Sequence, residues 1–185
     1  MKKSIFKLLT VFIIATVFTS CGPYDQAILL QEEVDESWGN VGAAYQRRAD
    51  LVPQLVATVK GASENEKEIL VKVTQARAGI VSAENPEDMT MFGKEINTAI
   101  NLAFEAYPQI RSTENFGALQ AQLEGTENRI NKARNDYNGT VKRYNTHIRG
   151  FYNSLILSFF SEEFNRKEAF KASEGADLAP TVTFD

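Results

Sequence analysis

The sequence predicts an all-α fold, an antiparallel four-helix bundle with long helices and a short C-terminal packing segment. Along four segments, apolar residues recur at spacings of three and four, which is the period of one helix face. No strand pattern, phosphate-binding glycine loop or dinucleotide-binding motif interrupts these segments. At 185 residues and 43% hydrophobic content, the chain can build one domain with a sizeable core. Short connections favour an arrangement in which the four apolar stripes face one another.

The first 20 residues are predicted to be a secretory signal. Lys2, Lys3 and Lys7 form a basic head, and residues 8–18 are apolar apart from two threonines. This run is shorter than the roughly 20 residues of a membrane-spanning helix, so a signal segment fits better. The only cysteine, Cys21, follows it and resembles the lipobox of bacterial lipoproteins, which implies cleavage before Cys21 and a lipid on its sulfur. An ordinary signal with an accidental cysteine, or an uncleaved anchor, is the alternative.

This interpretation divides the chain into a signal peptide (1–20), a lipidated linker (21–23) and one bundle domain (24–185). Without residues 1–20, 17 Lys and Arg stand against 24 Asp and Glu, a net charge of −7. Nucleic-acid binding depends on phosphate neutralisation by basic side chains, so this balance argues against a nucleic-acid partner. One cysteine excludes an internal disulfide and any multi-cysteine metal site.

Helix A is predicted over about residues 24–48, and residues 47–56 are predicted to form a tight corner leading into helix B. Asp50 can cap helix B by accepting a hydrogen bond from a free backbone N–H. Pro53 then falls in the first turn, where its missing N–H has no intrahelical partner. The apolar stripe of helix A consists of Ala27, Leu30, Val34, Trp38, Val41 and Tyr45.

Helix B is predicted as one helix over about residues 51–82. Its stripe keeps the three-four alternation straight through Gly61, at a cost of about 1 kcal/mol relative to alanine. Glu66 is the one polar member of the stripe and marks either an exposed groove or an opening in the core. The stripe consists of Val52, Leu55, Val59, Ala62, Glu66, Ile69, Val73, Ala76 and Ile80.

Two further helices follow a polar loop at residues 83–88. Helix C is predicted over about residues 89–107 and is ended by Pro108. Helix D opens near residues 112–114 and runs for about 35 residues, on the order of 50 Å.

The C-terminal part lacks a single period. Residues 151–160 are crowded with apolar side chains and predict a short buried helix or turn across one end of the bundle. Residues 161–177 are polar, and residues 179–184 are extended by composition.

Several sequence blocks resemble a known family. The first half contains VDESW (34–38), QRRADLVPQLVATVKG (46–61) and VTQARA (73–78). The second half contains EAYP (105–108), TENF (113–116), ARNDYN (133–138), VKRYN (141–145) and PTVTF (180–184). These blocks resemble the bacterial LemA family over nearly the whole mature chain. The resemblance implies a helical bundle attached to a bacterial membrane and exposed on one side of it, and it implies no established biochemical role. Many members have an uncleaved anchor helix, whereas this chain has Cys21.

Arg47, Arg48 and Asp50 form the sharpest polar cluster and are the candidate contact surface for a partner protein. The competing interpretation is structural: the arginines match the dipole at the end of helix A, and Asp50 caps helix B.

No catalytic or metal site can be assembled from the sequence. His147, the only histidine, has no cysteine or acidic residue at helical spacing, so a half-exposed structural role or a pH-sensitive contact is expected. Glu64, Glu66 and Glu68 are spaced by two and therefore point around different sides of a helix, which is typical of a solvated face. No nucleophile, base and orienting group occur together, so we expect no enzyme, cofactor or metal.

The sequence therefore predicts a non-enzymatic bundle, lipid-anchored in the bacterial envelope outside the cytoplasm, that binds another envelope protein as an interaction or scaffold module. The alternative is a small-ligand or ion-binding module, with a pocket between helices B and D near Glu66 and Tyr137. A hydrolase is a weaker alternative, because no triad or metal set supports it.

Overall fold

The computed structural model describes residues 21–57, 64–106, 115–160 and 163–171. They contain the helices α1 (Cys21–Ala57), α2 (Glu64–Ser82), α3 (Pro86–Ala106), α4 (Asn115–Arg149) and α5 (Phe151–Leu157). No strand occurs in these ranges, and the predicted all-α antiparallel bundle is confirmed. The predicted signal segment and the extended stretch at 179–184 lie outside the described residues. None of the described helices combines the length and the apolar character needed to cross a membrane.

The bundle is built on α1 and α4, which lie antiparallel along most of their length. Pro23, at the start of α1, lies beside His147 near the end of α4. Arg48, near the other end of α1, lies beside Thr126 in the first half of α4. We call the end of the bundle that holds residues 21–24 the proximal end and the opposite end the distal end.

The hairpin of α2 and α3 covers only the distal half of this pair. Met89, in the first turn of α3, lies against Gly42, just past the middle of α1. From there α3 runs towards the distal end, since Asn97 contacts Arg48. The hairpin turn is fixed by Asn85, whose Oδ1 accepts a hydrogen bond from the Asp88 N–H at 2.9 Å, in the manner of a helix N-cap.

The corner predicted at residues 47–56 is wrong, because α1 continues through it to Ala57. Ala49 and Val52 are fully buried, so they extend the apolar stripe of α1 across the expected break. Asp50 does not cap a helix, and its carboxylate pairs with Arg77 of α2 at 3.0 Å. Pro53 is accommodated inside α1.

The single helix predicted over residues 51–82 is also wrong. α1 ends at Ala57, and α2, which begins at Glu64, returns alongside α1 to bring Arg77 next to Asp50. Gly61 lies between these helices, outside the described residues. The unbroken three-four alternation therefore reflects two separate helices that both bury an apolar face against the same core.

The structure also differs from the prediction, to a smaller extent, at residues 21–23 and 151–160. The linker expected at residues 21–23 is the first turn of α1, where Pro23 needs no intrahelical N–H partner. The short helix expected within residues 151–160 is present as α5, but only Ile156 and Leu157 of this helix are buried.

The proximal half of the α1–α4 pair is covered by residues 163–171, which we call the tail segment. Asn145 of α4 donates a hydrogen bond to the Lys167 carbonyl at 2.8 Å and accepts one from the Lys167 N–H at 3.0 Å. Asn138, two helical turns earlier, makes the same pair of bonds to Phe170, at 3.0 and 2.8 Å. Three residues of the tail segment thus match seven residues of α4, so the segment is nearly fully extended.

The tail segment should depend on both polar atoms of each asparagine amide. We expect Asn138→Asp to lower the free energy of unfolding by about 1 to 3 kcal/mol, because the carboxylate cannot donate to the Phe170 carbonyl. Asn135→Asp is the matched control, since Asn135 is exposed one turn away and gains the same charge. Urea unfolding followed by circular dichroism gives both values, and equal values for the two variants would contradict this role.

Close packing between α1 and α3 requires a glycine at position 93. A Cβ atom at Gly93 would overlap the ring of Tyr45, which is itself buried, whereas a Cβ at Gly39 would meet nothing within 4 Å. We expect Gly93→Ala to destabilise the fold by about 1 to 3 kcal/mol through overpacking. Gly39→Ala should stabilise it by up to about 1 kcal/mol, because alanine is the better helix former. Thermal unfolding of the two variants checks the opposite signs.

Candidate functional site

Arg48 is an internal connector of the distal half. Its Nε donates to Asn97 Oδ1 of α3 at 2.8 Å. Its Nη1 donates to the Leu123 carbonyl at 2.8 Å and to Thr126 Oγ1 at 3.1 Å, both in α4. The same nitrogen lies 3.3 Å from a carboxylate oxygen of Glu127. With its side chain only 12% exposed, Arg48 ties three helices together.

Burial changes the electrostatics of this connector. Desolvation lowers the pKa of the Arg48 guanidinium from its usual value, while the nearby Glu127 carboxylate opposes that shift. Tyr45 packs in the same region, and burial raises the pKa of its phenol, against the opposing effect of Arg134. Arg48 and Tyr45 therefore stabilise the packing between helices, and hydrogen bonds to a charged group such as the Arg48 guanidinium are strong.

The predicted cluster of Arg47, Arg48 and Asp50 is divided by the helix. Successive residues on a helix point about 100° apart, so Arg48 turns inward while Arg47 is exposed. Asp50 is also exposed and pairs with Arg77 across the α1–α2 surface. A dipole match at the end of helix A and a cap by Asp50 are both wrong, because no helix ends here. Contact with a partner protein stays a prediction for Arg47 and Asp50.

A second polar and aromatic group lies in the proximal half, around Tyr137. The ring centroid of Tyr137 lies 5.2 Å from that of Trp38 and 5.4 Å from that of Phe170. Its hydroxyl donates a hydrogen bond to the Glu168 carbonyl at 3.0 Å. Burial raises the pKa of Tyr137 to about 12, with smaller contributions from Asp35 and Glu168. This cluster holds the tail segment against α1 and α4.

The pocket between helices B and D was expected near Glu66 and Tyr137, and the structure places these two positions in different halves of the bundle. Glu66 lies in the first turn of α2, at the distal end. Tyr137 lies beside Trp38, in the proximal half, and its hydroxyl is already bonded to the tail segment. The two positions are therefore separated along the bundle axis.

His147 joins three elements at the proximal end. Its Nε2 lies 2.8 Å from the Pro23 carbonyl, and its Nδ1 lies 3.2 Å from the amide nitrogen of Asn153 in α5. The carbonyl can only accept and the amide nitrogen can only donate, so Nε2 carries the proton and Nδ1 accepts. His147 is half-buried, as expected for a structural histidine.

Several recesses lie on the described surface. One of about 590 Å³ lies between α4 and the tail segment, and Lys142, Arg149 and Arg166 contribute its charged side chains. A second of about 400 Å³ lies beside α5, and a third of about 190 Å³ lies between α1 and α4. Within the described ranges, no group of three or more His, Cys, Asp or Glu side chains is placed to hold a metal ion.

The comparison with known families decides the classification. The model of the LemA family matches residues 37–184, which is most of the chain. The chain belongs to the LemA family. The resemblance read from the sequence blocks is thus confirmed. The match includes Arg48, the two asparagines that hold the tail segment, and Tyr137.

A curated relative supports the same classification. Protein LemA of Metamycoplasma hominis is 23% identical to this LemA-family chain over 156 residues. The matched region covers 82% of this chain and 70% of the relative.

The two adjacent arginines should behave differently on substitution. We expect Arg48→Met to lower the free energy of unfolding by about 2 kcal/mol, because it removes the hydrogen bonds to α3 and α4 and keeps most of the apolar stem. Arg47→Met should change it by less than about 0.5 kcal/mol, since Arg47 is on the surface. Chemical denaturation of both variants measures the difference. A loss at Arg47 as large as the loss at Arg48 would contradict this assignment.

Proposed function

We propose that this LemA-family protein is a non-enzymatic interaction module of the bacterial envelope, tethered to a membrane outside the cytoplasm by a lipid on Cys21. The apolar run at residues 8–18, which ends just before the only cysteine, supports the tether. α1 begins at Cys21, so a lipid there would join the bundle with no flexible spacer between them.

The observation that carries the interaction role is an exposed surface that we call the Arg47 face. It consists of Ala43, Arg47 and Asp50 on α1 and Arg77 on α2, all of them exposed. Arg47 projects to solvent beside the Asp50–Arg77 ion pair, and none of the three recesses includes a residue of this face. A surface that borders none of these recesses suits a contact with a protein better than a small ligand, and arginine is enriched among residues that dominate protein interfaces.

Site-specific crosslinking in the native cell tests this role. A photoreactive amino acid is placed at Arg47, and the same amino acid is placed at Lys132 on α4 as a matched control, since Lys132 is also exposed and charged. We expect a discrete adduct with another envelope protein from position 47 and none from position 132. The adduct should disappear when Asp50→Arg is combined with the probe, because that change breaks the ion pair with Arg77 and replaces the only negative charge of the face by a positive one.

The tether is tested in the same cells. Cys21→Ser should abolish labelling with an alkyne-bearing fatty acid and should also remove the crosslink, because the bundle no longer reaches its partner. Adducts of equal strength at positions 47 and 132, or no adduct at 47, would contradict the interaction role. Labelling that persists in the Cys21→Ser variant would contradict the lipid anchor.

A further inference from the structure

α5 carries an aromatic surface that the bundle leaves uncovered. Phe151 is 88% exposed and Phe159, in the turn after the helix, is 81% exposed, and Tyr152 and Leu155 between them are more than half exposed. Residues 151, 155 and 159 are four apart, so they follow one stripe. We call these four residues the α5 face.

The α5 face belongs to an ordered helix. Ile156 and Leu157, on the opposite side of α5, are buried against the bundle. Asn153 donates a hydrogen bond to the His147 carbonyl at 2.9 Å, which fixes the start of α5 to the end of α4. The outward direction of the aromatic side chains is therefore set by packing on the inner side.

An exposed apolar stripe of this kind is unusual for a protein surface that faces only water. Contiguous exposed apolar patches generally mark sites of contact with a protein or a membrane. Elsewhere in the described ranges, the large exposed apolar side chains do not recur at helical spacing. They are Leu29, Val71, Val81 and Met91.

The position of the α5 face indicates what covers it. The ring of Phe160, directly after Phe159, lies 4.4 Å from the ring of Tyr24 in the first turn of α1. His147 joins the Pro23 carbonyl to Asn153 of α5. Cys21 and the apolar run at 8–18 come immediately before this turn in the sequence. A membrane that holds Cys21 therefore lies within about one helix diameter, roughly 10 Å, of α5.

The charged side chains beside α5 are also suited to contact with a membrane. The recess between α4 and the tail segment, which reaches Gly150 at the start of α5, presents Lys142, Arg149 and Arg166 to solvent. Cationic side chains next to an exposed apolar helix attract anionic lipid headgroups. Among the residues whose exposure the structure describes, Asp25 on α1 and Glu163 after α5 are the exposed acidic residues nearest in sequence to this end.

We propose that the α5 face lies in the interfacial layer of the bilayer, with its aromatic side chains among the headgroups and upper acyl chains, so that the bundle stands on its proximal end. Tyr152 suits the headgroup level, where amphipathic aromatic rings are enriched, and the wholly apolar side chains of Phe151, Leu155 and Phe159 are stabilised by burial at the boundary with the acyl chains. This inference rests on the proposed tether, and it adds a second contact that orients the bundle relative to the membrane.

Tryptophan quenching in vesicles tests the orientation. Full-length protein carrying Phe151→Trp, Phe159→Trp or Val81→Trp is reconstituted in vesicles of phosphatidylethanolamine and phosphatidylglycerol, with or without brominated acyl chains. Val81 is the matched control: it is 75% exposed and lies near the α2–α3 turn, about 30 Å along α1 from the proximal end. The constant signal of Trp38 is subtracted using the unsubstituted protein.

The α5 face should be quenched selectively. We expect brominated lipid to reduce the added emission at positions 151 and 159 by about twofold or more and to leave position 81 unchanged. Vesicle flotation of the same samples reports the tether separately. Protein that floats without quenching at 151 and 159 overturns the proposed orientation and leaves the tether intact, whereas unsubstituted protein that does not float overturns both.

Two other outcomes also overturn the proposal. Equal quenching at positions 81 and 159 would mean that the bundle lies flat on the bilayer. A concentration-dependent blue shift of the added emission in the Phe159→Trp variant in detergent, with no quenching in vesicles, would mean that a second copy of the chain covers the α5 face.

Discussion

The structure depends on the long antiparallel contact between α1 and α4. Val34, Val41 and Tyr144 are among its fully buried side chains, and Ser37 and Thr140 bond to each other through their hydroxyls at 2.8 Å. Neither helix alone could bury its apolar stripe, and no other described element spans both halves of the bundle. The α2–α3 hairpin and the tail segment each complete the core over one half, so their placement follows from this pair.

Much of the fold could be predicted from the spacing of apolar residues. The stripes of α1, α3 and α4 identify the buried faces, and the four-helix arrangement follows from burying them together. The prediction failed at residues 47–56, where Asp50 and Pro53 are typical of a helix start. Tertiary packing overrides these local preferences, because Ala49 and Val52 gain more by continuing the buried stripe of α1 than the chain gains by turning there.

The candidate site was predictable in part. Arg47 and Arg48 are neighbours in sequence, and only the phase of the helix separates a surface side chain from an internal one. Phe170 could not be recognised as a core residue, because it lies in a polar stretch with no period of its own. The sequence pattern that points to this contact is in α4, which the tail segment covers. Asn138 and Asn145 are seven residues apart, so their two amides are in line along one face of α4.

The two halves of the bundle differ in the elements that cover the α1–α4 pair. In the distal half, the α2–α3 hairpin covers the α1–α4 pair, whereas the described cover of the proximal half is the short helix α5 and the nine residues of the tail segment, which are held mainly by side-chain amides. Detachment of these residues unwinds no helix, yet it uncovers Trp38 and Tyr137. Local opening has its lowest free energy where few contacts must be broken, so the amide protons of Lys167 and Phe170 exchange with solvent ahead of those in the helices. We therefore expect the first local opening of the described fold at the tail segment and not within either long helix.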